Sequence, residues 1–233
     1  MPRFKYGTPS FFKRLAAFAE DTAGSSKVEA IVADIIGDIQ KRGDKAVCAI
    51  TERLDGAKLN PRTLKVSESE LKAGESSLSA KDRTALKESI RCVKAYNRES
   101  LPKNWSKKHP HGATVGERYY PIQRVGLYVP GGSVPLVSTV IMTATLAKIA
   151  KVPQICVCTP PNGEGGIAPA MAGVLSLCGI KEVYKIGGAQ AVAAMAFGTK
   201  SVTPVDKIYG PGNAFVNEAK RQLFGRVGID LLP

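Results

Sequence analysis

Histidine is nearly missing from this sequence. Only His109 and His111 occur, both in the segment KKHPHG (107–112), and residues 121–233 have none. Proton transfer near neutral pH ordinarily uses histidine or a tuned carboxylate. The second half also holds only five acids, Glu164, Glu182, Asp206, Glu218 and Asp230, and no nucleophile–base pair is evident among its residues. Asp206 precedes Lys207 in an expected strand, and an ion pair between the two is the simplest reading. The H-x-H spacing can ligate zinc, but a site needs further ligands and none is near in sequence. An exposed, proline-broken linker is expected there instead. Long apolar runs are lacking too. Pro, Gly, Ser and Thr break every uncharged stretch before it reaches the ~18 residues of a spanning helix. The first 24 residues show no apolar core followed by a small-residue cleavage site. No secretory signal is read, and a cytoplasmic location is the default expectation.

Cysteine is present but odd in number: Cys48, Cys92, Cys156, Cys158 and Cys178. That count in a chain of this length argues against a disulfide framework. Cys156 and Cys158 (QICVC) fall on one face of an expected strand. A thiol pair can bind metal, but small buried apolar side chains are the favoured reading.

The 233 residues are 44% apolar and 23% charged, which excludes global disorder and fibrous repeats. The net charge is +13. Residues 1–120 are rich in both signs, as solvated helices are, whereas residues 121–233 are charge-poor. The densest basic cluster is Lys103, Lys107 and Lys108 around Trp105. No basic helix or RNA-binding signature accompanies it, so nucleic acid is not the expected partner. A salt-dependent DNA-binding assay would separate that alternative.

Residues 1–105 read as helical. Pro9 and Ser10 open an amphipathic stretch through Phe18. Val28, Ile31, Val32, Ile35, Ile36 and Ile39 follow helical spacing over 26–42. Ser25 or Ser26 can cap that helix and Gly43 stops it. Asp44 is expected to cap another through Leu54, ended by Asp55-Gly56. Residues 62–66 read as a short strand. A helix over about 80–100 places Leu86, Ile90 and Val93 on its buried side. Near Lys107 the character changes: 113–120 and 122–129 lean to strand and are joined near Pro121, as a hairpin or bent pair. Apolar helices (136–150, 168–178, 189–197, 213–224) then alternate with strands (152–158, 182–186, 205–210) and a final strand-like VGIDLL. That alternation predicts a parallel sheet covered on both faces. The expected domains are 1–120, a helical arm and partial layer, and 121–233, a doubly wound α/β domain.

Three glycine-containing corners repeat one design of strand, tight turn and helix start: Tyr128–Ser133 (YVPGGS), Ile186–Gln190 (IGGAQ) and Tyr209–Asn213 (YGPGN). In a parallel sheet such corners share one edge, where ligands bind at the change of winding. Glycine admits close backbone approach, and amides at helix starts attract phosphate. None of the three is a dinucleotide or Walker fingerprint, so each alone reads as an ordinary turn. Together they select Tyr128, whose ring can stack on a flat base, and the Gln190 and Asn213 amides, which can bond ribose or a carboxamide. Ser138 and Thr139 open the next helix and either face the crevice or cap the helix.

The runs RVGLYVPGGSVPLVSTVIMTATLAKIA (124–150), YKIGGAQAVAAMAFGT (184–199) and VDKIYGPGNAFVNEAKRQLFG (205–225), with RGDKAV (42–47) in the helical arm, resemble histidinol dehydrogenase across essentially the whole chain. The resemblance implies an NAD- and zinc-dependent oxidoreductase that converts L-histidinol to L-histidine in two hydride transfers, the last step of histidine biosynthesis. It implies NAD contacts at Tyr128, Gln190 and Asn213, a substrate contact at Ser138, and a homodimer in the full-length family. The fold it implies is an incomplete first α/β layer followed by an incomplete Rossmann-like domain. The zinc ligands and the Glu-His catalytic pair are expected after Pro233, in a GPSE-containing continuation. On that expectation no catalytic or metal-binding residue is assigned here, the 233 residues are inert alone, and residues 1–120 leave an apolar face exposed. Two other readings stay open: a related NAD-dependent alcohol dehydrogenase of the same fold, and a non-catalytic nucleotide-binding module.

Overall fold

The computed structural model of the protein describes residues 3–22, 26–131 and 135–231. Helix α1 (Phe11–Thr22) packs its aromatic side chains on one another, with Phe11 against both Tyr6 and Phe12. The apolar stripe after it forms one face of α2 (Ser26–Arg42), and Val32, Ile35, Ile36 and Ile39 are all buried. Ser26 is the first helical residue; Ser25, the other expected cap, lies outside the described residues. Gly43 ends α2 with its N–H on the Ile39 carbonyl. Helix α3 (Asp44–Asp55) starts with Gly43 at its cap position, so the expected Asp44 cap is not made. Asp44 is buried and accepts instead from Ser201, at 2.8 Å from Oγ and 3.3 Å from N.

Residues 64–66 do not form a full strand. They make one antiparallel bridge to Tyr184, with Val66 N–H on the Val183 carbonyl. Helix α4 (Glu68–Ser77) was not foreseen. Its signal is a capping box: Ser67 Oγ accepts from Glu70 N while the Glu70 carboxylate accepts from Ser67 N. Helix α5 (Ala80–Arg98) follows from a Ser79 cap, and its Leu86, Ile90 and Val93 are only partly buried.

The expected pairing of 113–120 with 122–129 is not what forms. Strand β1 (Trp105–Lys108) pairs antiparallel with β2 (Thr114–Glu117), so the hairpin turns through KKHPHG. The segment read as a linker is therefore a turn between strands. Both strands are exposed, whereas β3 (Arg124–Tyr128) is buried and belongs to another sheet. A five-residue all-buried strand suits the middle of a parallel sheet and not one limb of an exposed hairpin.

From β3 onward the expected alternation holds: α6 (Val137–Ile149), β4 (Gln154–Thr159), α7 (Pro169–Leu177), β5 (Glu182–Lys185), α8 (Gly188–Phe197), β6 (Lys207–Tyr209), α9 (Ala214–Leu223) and β7 (Gly228–Ile229). All neighbouring strands run parallel in the order β5-β4-β3-β6-β7. The winding reverses between β3 and β6. Asp206 does not pair with Lys207; its Oδ2 accepts the Arg124 N–H at 2.8 Å, tying the starts of β6 and β3.

Alternate residues of the strands face two cores. Val125, Leu127, Ile155 and Val157 pack with α6 and α7, whereas Tyr128, Cys156, Cys158 and Ile208 pack with α8 and α9. Both cysteines are free and wholly buried, as small apolar side chains should be. Helices α2 to α5 complete the two outer layers. Helices α2 and α3 lie on α8 and α9, α4 on α7, and α5 on α6. The buried stripe of α2 is therefore covered; large apolar side chains stay exposed at Phe12 in α1 and Trp105 in the β1–β2 hairpin, and also at Tyr96, Met142 and Phe224. Among the described residues no helix is long and apolar enough to cross a membrane.

Candidate functional site at the carboxyl edge of the sheet

Because the five strands are parallel, the ends of β3, β4, β5 and β6 lie on one edge, and the three corners follow three of them. Local chemistry shapes each. In the first, the described residues run from Tyr128 to Gly131; Gly132 and Ser133 lie outside them. A side chain at Gly131 would meet Pro160 Cγ at 2.5 Å. Pro160 follows β4, and a side chain at Gly187 would meet its Cβ at 2.7 Å. One proline ring thus separates the first and second corners, and only glycine fits on either side of it. The third corner touches the first directly. Gly210 takes φ +123°, and a side chain there would overlap the Tyr128 carbonyl oxygen.

Tyr128 is 4% exposed and its ring lies in the core on the α8 side, so the expected stacking face is not open. What it presents is the hydroxyl, which accepts the Gly188 N–H at 3.1 Å at the start of α8. Burial pushes this phenol up to about 12, so it stays protonated at neutral pH. Gln190 sits one turn into α8 and is 1% exposed. Its Nε2 donates to Asp55 Oδ2 at 3.4 Å, while its Oε1 has no partner. Asn213 is exposed and caps α9, with Oδ1 accepting from Phe215 N and Val216 N, both at 3.1 Å. Its Nδ2 side remains for a ligand. Ser138 is exposed in the first turn of α6 and makes no cap bond; the residue at the cap position is Leu136.

Tyr128 and Gln190 are brought together around the start of α8, and the third corner, which ends at Asn213, abuts the backbone of Tyr128. Sequence reasoning missed two residues. Pro160 had no motif to mark it. Asp55 was read only as the end of a helix, yet it reaches this edge from α3. Its carboxylate lies beside Gly187, where a side chain would meet Oδ1 at 3.2 Å, and burial raises its pKa above the ordinary carboxylate range. Asp55, Gly131, Thr159, Pro160 and the start of α7 enclose a cavity of about 290 Å³. The amides of α7 lack a side-chain cap there. Such an edge offers unpaired amides, a half-buried acid and glycine-lined backbone, which is the chemistry of a ligand with phosphate and hydroxyl groups.

No three His, Cys, Asp or Glu side chains are placed to hold a metal ion among the described residues. His109 and His111 lie at the exposed hairpin turn, far in sequence from these corners. The described residues therefore do not fit a zinc ion.

Strand order and point of reversal define a doubly wound α/β protein, a fold class whose ligands ordinarily lie at the carboxyl edge of the sheet. The chain belongs to the histidinol dehydrogenase family, whose model matches residues 19–233. It is 46% identical over 206 residues to a histidinol dehydrogenase from Symbiobacterium thermophilum, a match covering 88% of this chain and 47% of that relative. It is 42% identical over 231 residues to one from Rhizobium meliloti, covering 99% and 53%. The crystal structure of histidinol dehydrogenase from Elizabethkingia anophelis superposes with a TM-score of 0.86 at 34% identity, covering 90% of this chain and 48% of that one. The chain spans about half the length of the relatives it matches.

Proposed function

We propose that these 233 residues form the NAD-binding part of a histidinol dehydrogenase, with the dinucleotide lying across the reversal point between β3 and β6. The observation that carries this reading is the contact of the corners: Gly210 against the Tyr128 carbonyl, and the Tyr128 hydroxyl on the Gly188 amide. The Tyr128 hydroxyl, the Gln190 amide and the Asn213 Nδ2 supply polar contacts, and the uncapped start of α7 supplies amides for phosphate. The bound dinucleotide would accept hydride from an alcohol substrate. Ser138, exposed at the start of α6, is the proposed contact on the substrate side. With no zinc-fitting set among the described residues, the proposal covers cofactor binding and leaves oxidation of L-histidinol outside what these residues do by themselves.

Calorimetric titration of the chain with NAD tests this reading. The unsubstituted chain should bind, and Tyr128→Ala and Asn213→Ala should each weaken binding about tenfold, as losing one buried or ligand-facing hydrogen bond does. Equal heats in all three proteins would place the cofactor elsewhere.

A further inference from the structure

Among the described residues Asp55 has no cation to answer it. Its one described hydrogen bond is the long 3.4 Å contact from Gln190 Nε2, and burial alone displaces its carboxyl. It is also the only ionisable side chain among the described residues lining the cavity at the ends of β3 and β4. Beside it, the Gln190 amide spends its donor on the carboxylate, which leaves Oε1 buried and without a donor of its own. That oxygen lies against the backbone at the start of α8, where a side chain at Gly188 would meet it at 2.6 Å. Two acceptors from different elements therefore converge on the second corner, one held only by the long Gln190 contact and the other without a donor. A buried acceptor without a donor is costly, so the pair is suited to a ligand that brings hydroxyl donors. A divalent cation is a poorer occupant, because among the described residues Asp55 belongs to no group of three His, Cys, Asp or Glu side chains.

In doubly wound dinucleotide sites, an acid at the end of the second strand of the first half bonds the adenosine ribose 2′-hydroxyl, and a cation replaces it where a 2′-phosphate is held. Here β4 is the second strand of that half, and it ends in Thr159-Pro160-Pro161-Asn162 with no acid. We propose that Asp55, reaching across from α3, takes that part: with Gln190 Oε1 it forms an acceptor-only seat for the adenosine ribose diol, and it turns away a dinucleotide phosphorylated at the 2′ position. This rests on the cofactor reading above and deepens it by naming a residue that selects the cofactor. A 2′-phosphate brought here would meet the Asp55 carboxylate, with the Gln190 oxygen buried behind it and no lysine or arginine among the described lining residues.

The test is titration of the chain and of Asp55→Asn with NAD, NADP and NAD carrying 2′-deoxyadenosine, with thermal unfolding as the check on folding. The unsubstituted chain should bind NAD at least about tenfold more tightly than either analogue. In Asp55→Asn the preference for NAD over NADP should shrink by about tenfold. NAD binding with an unchanged preference in Asp55→Asn would overturn the assignment and leave the cofactor reading standing. Should that variant not fold, the unsubstituted chain decides alone: equal affinity for NAD and its 2′-deoxy analogue overturns the assignment. No heat with any of the three dinucleotides would instead sink the cofactor reading, and this inference with it.

Discussion

Lys220 is 3% exposed, yet it is paired. Its Nζ donates to the Gly210 carbonyl at 2.5 Å and to Asp230 Oδ1 at 2.6 Å, and Asp230 Oδ2 accepts the Gly210 N–H at 2.8 Å. Both polar groups of one glycine are thereby held, and the ion pair offsets the cost of burying the ammonium. Gly210 itself cannot be replaced without moving the third corner off the Tyr128 carbonyl. Gly210→Ala should cost about 2–4 kcal/mol, from strain at positive φ together with the overlap, read as a lower urea midpoint with an unchanged slope. An unchanged midpoint would mean that the corner yields freely. The glycines, Gln190 and Asn213 were legible because each follows a strand and opens a helix. Asp55 was not, because its place at this edge is marked by a contact with a residue 135 positions away in the chain.

Among the elements, the α4–α7 pair shows how closely helices can approach when glycines face each other. A side chain at Gly74 would overlap Ala172 Cβ and meet the Pro169 carbonyl oxygen at 2.8 Å; one at Gly173 would meet the Gly74 carbonyl at the same distance. Gly74→Ala gains helix propensity of about 1 kcal/mol in an isolated helix. Here overpacking of about 1–3 kcal/mol opposes that gain, so the variant should unfold at lower denaturant. A higher midpoint would show that α4 can slide. Helix α4 was available to a reader of its S-x-x-E capping box, whereas the hairpin was not. Four exposed residues such as WSKK carry no alternation toward a core, and the β-leaning run over 113–120 continues almost directly into 122–129, which hides its true partner β1.

Over the whole molecule, acid–base behaviour follows from a few tethers between distant segments. Burial raises the Glu182 carboxyl, but hydrogen bonds and charge from Arg124 outweigh it and hold the pKa below the ordinary range. Glu70 behaves alike: burial raises it, and Lys185 with the Ser67 cap lowers it further. Depressed carboxylates stabilise the fold above their unfolded pKa of about 4.3 and lose that contribution as pH falls through the lower folded value. Asp55 has the opposite sign: its raised pKa favours the fold most below about 3.9 and costs stability as pH rises through the folded value. Urea denaturation should therefore show stability falling from pH 5 to pH 3, while Asp55→Asn should be more stable than the unsubstituted chain at pH 7 and equal to it at pH 3. Stability of Asp55→Asn flat from pH 5 to pH 3 would contradict the carboxylate tethers, and equal stability of the two proteins at pH 7 would contradict the Asp55 assignment.

The order of elements from β3 to β7, the parallel sheet and the three glycine corners were determined by the sequence alone, because period, strand-to-helix alternation and turn chemistry are local properties that survive without neighbours. Only the tertiary structure decided which segment pairs with 105–108, that α2 and α3 close the sheet from outside, that the Tyr128 ring turns into the core, and that Asp55 arrives at the carboxyl edge. Each of these depends on surfaces far apart in the chain meeting to bury apolar area and satisfy polar groups, and nothing in a local pattern records which surfaces will meet.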